Sequence, residues 1–182
     1  SGLERGSKYT LVHEGITEVL AISADEEGNR TLWTNGHSMS GTIAAAQRYM
    51  RAFAHIPLLQ ITEPRSALVI CFGVGTTAHA VSLHRSLVRL EIADISASIL
   101  AHGHHFASTN HDVVNDPRVT VFVNDGRQHL RMQPSDSYDL VTLEPPPIVS
   151  AGVAALYSRE FYDLVKSKLR RGGYLTQWLP IY

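Results

Sequence analysis

The sequence predicts a doubly wound α/β domain with a mostly parallel sheet, preceded by a small N-terminal β-hairpin. From Ala67 onward, short continuous apolar runs alternate with helical stretches, which is typical of parallel strands covered by helices on both faces. The length of 182 residues suits one main domain. With 44% hydrophobic residues, 18% charged residues and a net charge of -1, the composition excludes a disordered chain and gives no basis for a nucleic-acid partner.

The N-terminal region has the pattern of a hairpin followed by a helix. Gly15–Ser23 and Asn29–Asn35 are rich in β-branched and aromatic residues, and the segment 25–28 between them supplies turn residues. Thr42–His55 then shows a helical period, and Pro57 marks its end. We therefore divide the chain into a β-hairpin appendage at residues 1–41 and a main domain at residues 42–182.

The main domain is expected to alternate five strands with helices. Chain order favours a parallel sheet, since each pair of strands is separated by a helical stretch. The strands are predicted at Ala67–Phe72, Val88–Ala93, Val119–Val123, Tyr138–Leu143 and Tyr174–Trp178, and the helices at Thr77–His84, Ala97–Ser108, Gly126–Arg131 and Ser158–Leu169, the last followed by a stop at Arg171–Gly173.

A glycine-rich turn follows the first core strand and precedes a helix. Gly73 permits a sharp turn, Gly75 lets a ligand approach the backbone, and Ala78 allows the helix to pack closely on the strand. This order is typical of a nucleotide-binding loop. A tight turn without a ligand is the alternative.

Acidic residues follow the next two strands. Asp94 ends the second core strand, where a carboxylate can accept hydrogen bonds from both hydroxyls of a ribose, or can instead cap the following helix. Asp125 and Gly126 follow the third strand, where an acid and a backbone N–H can bind an adenine edge, or where the acid can cap the next helix.

Glu144 is the candidate catalytic residue. It follows the strand Tyr138–Leu143, and ligands of open α/β sheets bind at the carboxyl ends of strands. The prolines at 145–147 stiffen the loop that carries it. The alternative is a rigid surface connection with an exposed glutamate.

Histidine, cysteine and hydropathy patterns limit the remaining function classes. His102, His104 and His105 do not share one helix face and lack partners with zinc-ligand spacing, so we expect no metal. The apolar runs are too short for a membrane span, so no direct membrane contact is expected in this segment. A single cysteine, Cys71, and no leader-like segment favour the cytoplasm, either as a free protein or as the soluble part of a longer one.

The order of these motifs carries a family resemblance. The matching segments are Ala54–Leu58 (AHIPL), Leu68–Gly75 (LVICFGVG), Asp94–Ser96 (DIS), Asn124–Gly126 (NDG), Tyr138–Glu144 (YDLVTLE), Leu156–Tyr162 (LYSREFY) and, in the hairpin, Leu32–Gly36 (LWTNG). In these segments the chain resembles the spermidine synthase family, the polyamine aminopropyltransferases built on the Rossmann-like fold of S-adenosylmethionine-dependent methyltransferases. The proline run and the ending Gln177–Tyr182 look most like a divergent bacterial branch.

The resemblance implies a co-substrate and roles for particular residues. It implies S-adenosylmethionine or its decarboxylated form as co-substrate, no metal, and transfer of an aminopropyl group to a small-molecule amine or other acceptor. Gly73 and Gly75 would face the nucleoside, Asp94 and Ser96 the ribose, and Asp125 with Gly126 the adenine. Glu144 would be the catalytic base or amine anchor, and Tyr157 would lie in a flexible loop at 151–156 and its C-terminal border, above the acceptor. A homodimer is a candidate assembly.

The departures from the family pattern fall on the acceptor side. Val74 stands where the family turn has an acid, Tyr49-Met50-Arg51 replaces Tyr-His-Glu, and Pro147 replaces a second loop aspartate. Burying an ammonium without a partner is costly, so unmodified putrescine fits poorly, and an uncharged or anionic acceptor, or a co-substrate retaining its carboxylate, fits Val74 and Arg51 better.

The sheet of this fold has seven strands and we predict five, so the chain is expected to be a domain excerpt or to have its remaining edge covered by another chain.

Two alternative functions stay open. A methyltransferase using the same nucleoside site is one alternative function. A non-catalytic nucleoside-binding module of a larger protein is the other.

Overall fold

The described part of the chain forms two sheets and the helices that cover the second one. The computed structural model describes residues 6–15, 18–146 and 152–179. The strands are β1 (Lys8–Glu14), β2 (Val19–Ala24), β3 (Arg30–Thr34), β4 (His37–Gly41), β5 (Ser66–Ile70), β6 (Arg89–Asp94), β7 (Val119–Val123), β8 (Tyr138–Leu143) and β9 (Leu169–Gln177), and the α-helices are α1 (Ala44–Leu58), α2 (Thr76–Ser82), α3 (Ala97–His102), α4 (Ala107–Asn110), α5 (Gly126–Met132) and α6 (Arg159–Lys168).

The N-terminal sheet is larger than a hairpin. Its 4-stranded antiparallel order is β1-β2-β3-β4, and the predicted hairpin is its central pair. The turn is built as expected, since Asp25 Oδ1 accepts hydrogen bonds from the backbone N–H of Glu27 at 3.0 Å and of Asn29 at 2.8 Å. The outer strands β1 and β4 escaped prediction because both are largely exposed and show no clear alternation of apolar residues. Residues 16–17 of the first predicted strand lie outside the described residues.

The second sheet confirms the predicted class. It is 5-stranded with the order β7-β6-β5-β8-β9, and every neighbouring pair is parallel. β5 is the first strand of this sheet, and β6 and β8 lie on its two sides, so the strand order reverses at β5. Ligands of open α/β sheets bind at the carboxyl edge beside such a reversal. The topology therefore directs attention to the residues that follow β5, β6, β7 and β8.

Three elements differ most from their predicted bounds. The first helix was predicted at Thr42–His55 with Pro57 marking its end, but α1 runs from Ala44 to Leu58 and includes Pro57. The predicted helix 97–108 is broken into α3, a 3-10 turn at Gly103–Phe106, and α4. The predicted stop at 171–173 lies inside β9, which begins directly after α6. Gly172 takes a φ of 82° there, and the β8–β9 pairing shifts its register between Tyr138 and Leu140. A local irregularity thus replaces the expected loop.

The core explains why β5 is buried throughout and apolar from Ala67 to Ile70. Alternate residues of a strand point to opposite faces, and here both faces are covered. Ala67 and Val69 pack in the cluster that contains α1 and α2 residues, whereas Leu68 and Ile70 pack in the cluster with residues of α5 and α6. A third cluster joins the two sheets, and its members are Leu20, Ile22, Leu32, Met50, Val74 and Phe106. The division at residues 41 and 42 stays a prediction.

No helix in the described ranges combines the length and the apolar character that crossing a bilayer requires.

Candidate active site

The turn after β5 requires its glycines. Gly73 and Gly75 have φ values of 55° and 80°, in the left-handed region that side chains disfavour. A Cβ on Gly75 would lie 2.6 Å from Cζ of Phe72, so a larger residue would also displace that ring. The turn leads directly into α2 at Thr76. The tight-turn requirement alone accounts for Gly75, and its contact with a nucleoside stays a prediction.

Two buried hydroxyl groups beside this turn lack partners. Ser40 Oγ and Thr76 Oγ1 are buried and make no hydrogen bond within the described residues. Ser40 Oγ lies 3.1 Å from the position that a Cβ on Gly73 would occupy. Buried polar groups are nearly always hydrogen-bonded, so these hydroxyls favour a polar ligand or ordered water at the turn.

Asp94, at the end of β6, accepts backbone hydrogen bonds that hold the start of the glycine turn in place. Its Oδ2 accepts a hydrogen bond from the backbone N–H of Phe72 at 2.7 Å, and its Oδ1 accepts one from that of Ser96 at 2.8 Å. Burial raises the pKa of Asp94 to about 6, although these N–H groups act in the opposite direction. The helix-cap alternative belongs to another residue, since Ser96 Oγ caps α3 by accepting from the N–H of Ile99.

Glu18, which immediately precedes β2 of the N-terminal sheet, contacts the residues that follow β6. Ser96 Oγ donates a hydrogen bond to Glu18 Oε1 at 2.5 Å, and the charge of Glu18 contributes to the raised pKa of Asp94. Sequence reasoning missed Glu18, which precedes β2 and lies 78 positions from Ser96. No local motif marks it, because its place depends on how the two sheets pack.

Asp125 and Gly126 have structural roles. Asp125 Oδ1 accepts a hydrogen bond from the N–H of Gln128 at 2.8 Å and so caps α5. A Cβ on Gly126 would lie 2.3 Å from Cγ2 of Ile70, so only glycine allows α5 to approach β5 this closely. The N-cap alternative is therefore observed, and adenine contact stays a prediction.

Glu144 follows β8 and is held by two side-chain hydroxyl groups. Thr77 Oγ1 in α2 donates a hydrogen bond to Glu144 Oε1, and the Tyr49 hydroxyl from α1 forms a second one. Burial raises the pKa of Glu144 to about 7, against the lowering effect of these bonds. Burial and the charge of Glu144 raise the pKa of Tyr49 to about 12. Glu144 can therefore gain or lose a proton near neutral pH, while Tyr49 remains a hydrogen-bond donor.

The predicted acids converge around the end of β5. Burial raises the pKa of the Cys71 thiol well above its usual range, and the charges of Asp94, Glu144 and Asp125 raise it further. Cys71 itself has a φ of 68°, which is unusual for a residue with a side chain. Carboxylates from three different strand ends thus surround one point, as the parallel order predicts.

Tyr157 lies near the strand end that carries Glu144. It ends a 3-10 turn at Val153–Tyr157, and its hydroxyl donates a hydrogen bond to the carbonyl of Trp178 at 3.4 Å. The N–H of Trp178 in turn donates to the carbonyl of Leu143 at 3.0 Å. Pro147 and Ala151, which belong to the same predicted loop, lie outside the described residues.

The positions that depart from the family pattern have different surroundings. Val74 and Met50 are 1% and 2% exposed and pack in the apolar cluster between the sheets. Arg51 lies on the exposed face of α1, where its Nη2 donates to Gln47 Oε1 at 2.8 Å. Tyr49, the retained member of the trio, is the one that contacts Glu144.

The histidines are closer together than helix geometry suggested. The rings of His102, His104 and His105 lie 4.2 to 6.4 Å apart, because the predicted helix breaks between them. Within the described ranges, no group of three or more His, Cys, Asp or Glu side chains has an arrangement that could hold a metal ion.

Fold and site together define the class of protein. A parallel sheet with its order reversed beside β5, a glycine turn after that strand and acids after its neighbours are typical of the Rossmann-like nucleotide-binding domains. Two solved structures share the fold. A spermidine synthase in complex with the transition-state analogue AdoDATO matches with a TM-score of 0.82 and 17% identity, over 90% of this chain and 55% of that one. Spermidine synthase from Thermotoga maritima matches with a TM-score of 0.77 and 18% identity, over 90% and 54%.

Sequence comparison then gives the family. The spermine/spermidine synthase domain matches residues 46–178, and the chain belongs to this family. Polyamine aminopropyltransferase 2 of Pseudomonas aeruginosa is 32% identical over 141 residues, which are 74% of this chain and 40% of the relative. The polyamine aminopropyltransferase of Moorella thermoacetica is 28% identical over 166 residues, 90% of this chain and 57% of the relative. The chain thus spans about half the length of these relatives.

Proposed function

We propose that this domain transfers an aminopropyl group from decarboxylated S-adenosylmethionine to an amine acceptor. The observation that carries the proposal is Glu144, a partly buried carboxyl group with a pKa raised to about 7, held by Thr77 and Tyr49 at the carboxyl end of β8. A general base works best when its pKa lies near the operating pH. Membership of the chain in a family of aminopropyl-transferring enzymes supports the same reaction.

Glu144 acts as the proton acceptor and as the anchor of the attacking amine. The amine nitrogen attacks the aminopropyl carbon bonded to the sulfonium, so a C–N bond forms as the C–S bond breaks. The bonding pair leaves with sulfur, which becomes a neutral thioether, and the proton of the new ammonium passes to Glu144. The Tyr49 and Thr77 hydroxyls fix the carboxylate orientation, since both bonds engage it from helices that pack on the sheet.

The charge of the site favours the decarboxylated co-substrate. Asp94, Asp125 and Glu144 surround the end of β5, with Glu18 beside Asp94. A ligand that carries its own carboxylate would be repelled here, whereas a sulfonium and an ammonium are attracted. We assign the ribose to Asp94 and Ser96, the adenine edge to Asp125 and Gly126, and the approach of the nucleoside to Gly73 and Gly75.

The acceptor is proposed to be an amine without a second positive charge. Val74 is buried among apolar side chains at the place where the resemblance implies an acid, and a distal ammonium would find no carboxylate there. Tyr157 is assigned to cover the acceptor end. We place the reaction in the cytoplasm, in keeping with the free Cys71, and keep a homodimer as the candidate assembly.

Two measurements test this function. Calorimetry should show tighter binding of decarboxylated S-adenosylmethionine than of S-adenosylmethionine, and mass spectrometry should detect an amine product enlarged by one aminopropyl group. Preference for the carboxylated ligand, with methylated product, would contradict the proposal in favour of a methyltransferase. Tight binding of the nucleoside without any transfer to a panel of mono- and diamines would indicate a binding module.

A further inference from the structure

A cavity lies at the edge of the parallel sheet opposite to Glu144 and Asp94. It has a volume of about 370 Å³, and its lining is Arg65, Ser66, Val88, Arg89, Pro134, Ser135, Asp136, Ser137 and Arg170. These residues precede or begin β5, β6, β8 and β9, so they lie at the amino ends of the strands. β5 has five residues and spans about 13 Å from its first to its last Cα atom, and this distance separates the cavity from Glu144 and Asp94.

Three arginines line this cavity: one immediately before β5, one in β6 and one in β9. Arg89 begins β6 and its Nη2 donates to the carbonyl of Ser137 at 2.9 Å. Arg170 in β9 donates from Nε to the carbonyl of Asp136 at 3.1 Å and from Nη1 to Asp139 Oδ2 at 3.0 Å. These bonds fix two guanidinium groups around the loop before β8 while leaving further N–H donors on each.

Arg65 adds to the cavity a positive charge that is not paired with a carboxylate in the described part of the chain. Its backbone N–H donates to Asp139 Oδ2 at 2.7 Å, but its exposed guanidinium makes no hydrogen bond or ion pair to any residue that the structure describes. The lining contains one acidic side chain, the exposed Asp136, and three arginines. Arg170 is paired with Asp139 at 3.0 Å and Arg89 with Glu91 at 3.7 Å, so the guanidinium of Arg65 is the one in the lining without a carboxylate partner among the described residues. Guanidinium groups bind phosphate oxygens in a bidentate manner, and their planar shape suits recognition from several directions.

We propose that this cavity binds the phosphate group of a small molecule. The unpaired guanidinium of Arg65 and the remaining N–H donors of Arg89 and Arg170 favour an anionic ligand, and the volume of about 370 Å³ lies at the lower end of the range for small-molecule sites. The two anchored guanidinium groups are preorganised by the loop carbonyls, which limits the entropy lost on binding. The Arg65 guanidinium supplies the positive charge that is not already paired.

Calorimetry with sodium phosphate at constant ionic strength tests the proposal. The whole chain should bind phosphate saturably and more tightly than it binds acetate. Arg65→Gln should weaken phosphate binding about tenfold, because a charge-assisted bond is lost and the folded state keeps all its observed contacts. Asp136→Asn should strengthen binding, since it removes the opposing charge.

Arg159→Gln is the matched control, because Arg159 is another exposed arginine, on α6, whose ion pair with Asp163 at 3.7 Å is at the surface. It should leave phosphate affinity unchanged. Absence of saturable binding, equal affinity for acetate, or equal weakening by Arg65→Gln and Arg159→Gln would overturn the proposal.

Discussion

Asp94, which is buried, and Glu144, which is partly buried, both lie at the carboxyl edge of the sheet, but their carboxyl groups are held in different ways. Asp94 accepts hydrogen bonds from backbone N–H groups of Phe72 and Ser96, whereas Glu144 is held by the side-chain hydroxyls of Thr77 and Tyr49. Backbone donors fix the path of the chain, so Asp94 shapes the glycine turn. Side-chain donors orient a carboxyl group without defining the backbone. The hydrogen bonds of Asp94 therefore shape the site, whereas those of Glu144 orient its carboxyl group and leave it available for proton transfer.

The largest expected effect is the loss of activity in Glu144→Gln. Removal of a general base typically lowers kcat by about 10² to 10⁴-fold. Steady-state kinetics with decarboxylated S-adenosylmethionine would measure this loss, and calorimetry should show nearly unchanged co-substrate binding. Glu63→Gln, the same change at an exposed glutamate before β5, is the control and should leave kcat unchanged. Full activity in Glu144→Gln would contradict the role of Glu144 as the general base.

Asp94→Asn is expected to affect stability as well as binding. The amide keeps one acceptor and turns the other into a donor, so one backbone N–H is left unpaired at a cost of about 1–3 kcal/mol. Chemical denaturation should show this loss, and calorimetry should show weaker co-substrate binding. Wild-type stability combined with weakened binding would mean that Asp94 is a ligand residue without the structural role.

The pH dependence of unfolding gives Asp94 a distinct signature. Its pKa is about 6 in the folded state against an ordinary value of 3.8, so the unfolded chain releases the proton first as pH rises. The stability that Asp94 contributes is therefore fully present below about pH 4 and declines until about pH 6. Unfolding free energies of the wild type minus Asp94→Asn should fall across this window. A rising difference would contradict the raised pKa.

Tyr49→Phe should move the pH dependence of the reaction. The Tyr49 hydroxyl lowers the pKa of Glu144 by its hydrogen bond, so its removal should shift the rising limb of kcat from about pH 7 to higher pH. Thr77→Val should shift the limb in the same direction, because Thr77 also donates to Glu144. Rate profiles between pH 5 and pH 9 would show both shifts. A limb that moves to lower pH in either variant would be inconsistent with this arrangement.

The smallest effect is expected from Ser96→Ala. Loss of a helix cap costs about 1 kcal/mol, and Ser158→Ala, which removes the cap of α6, should cost a similar amount. Only Ser96 also contacts Glu18, so only its replacement should weaken co-substrate binding. Thermal unfolding and calorimetry of both variants make the comparison. Equal binding by the two variants would place Ser96 outside the site.

The placement of Asp94, Asp125 and Glu144 could be predicted, because these residues follow strand ends. The apolar runs located β5 to β8 to within two residues, and the residues that follow parallel strands lie together at the carboxyl edge of the sheet. Glu18 could not be found in this way, because it enters from the other sheet. The role of Gly126 was also missed, since its contact with Ile70 depends on the depth at which α5 packs on β5.

The sequence by itself determined the parallel sheet, the turn at Gly73–Gly75 and the order in which acids follow the strands. These are consequences of local periodicity and of chain connectivity. Only the tertiary structure decided which acid is held by backbone groups and which by hydroxyls, because those partners come from segments far apart in the chain. The physical reason is that burial and long-range hydrogen bonds, which set the pKa of a carboxyl group, exist only after the layers have packed.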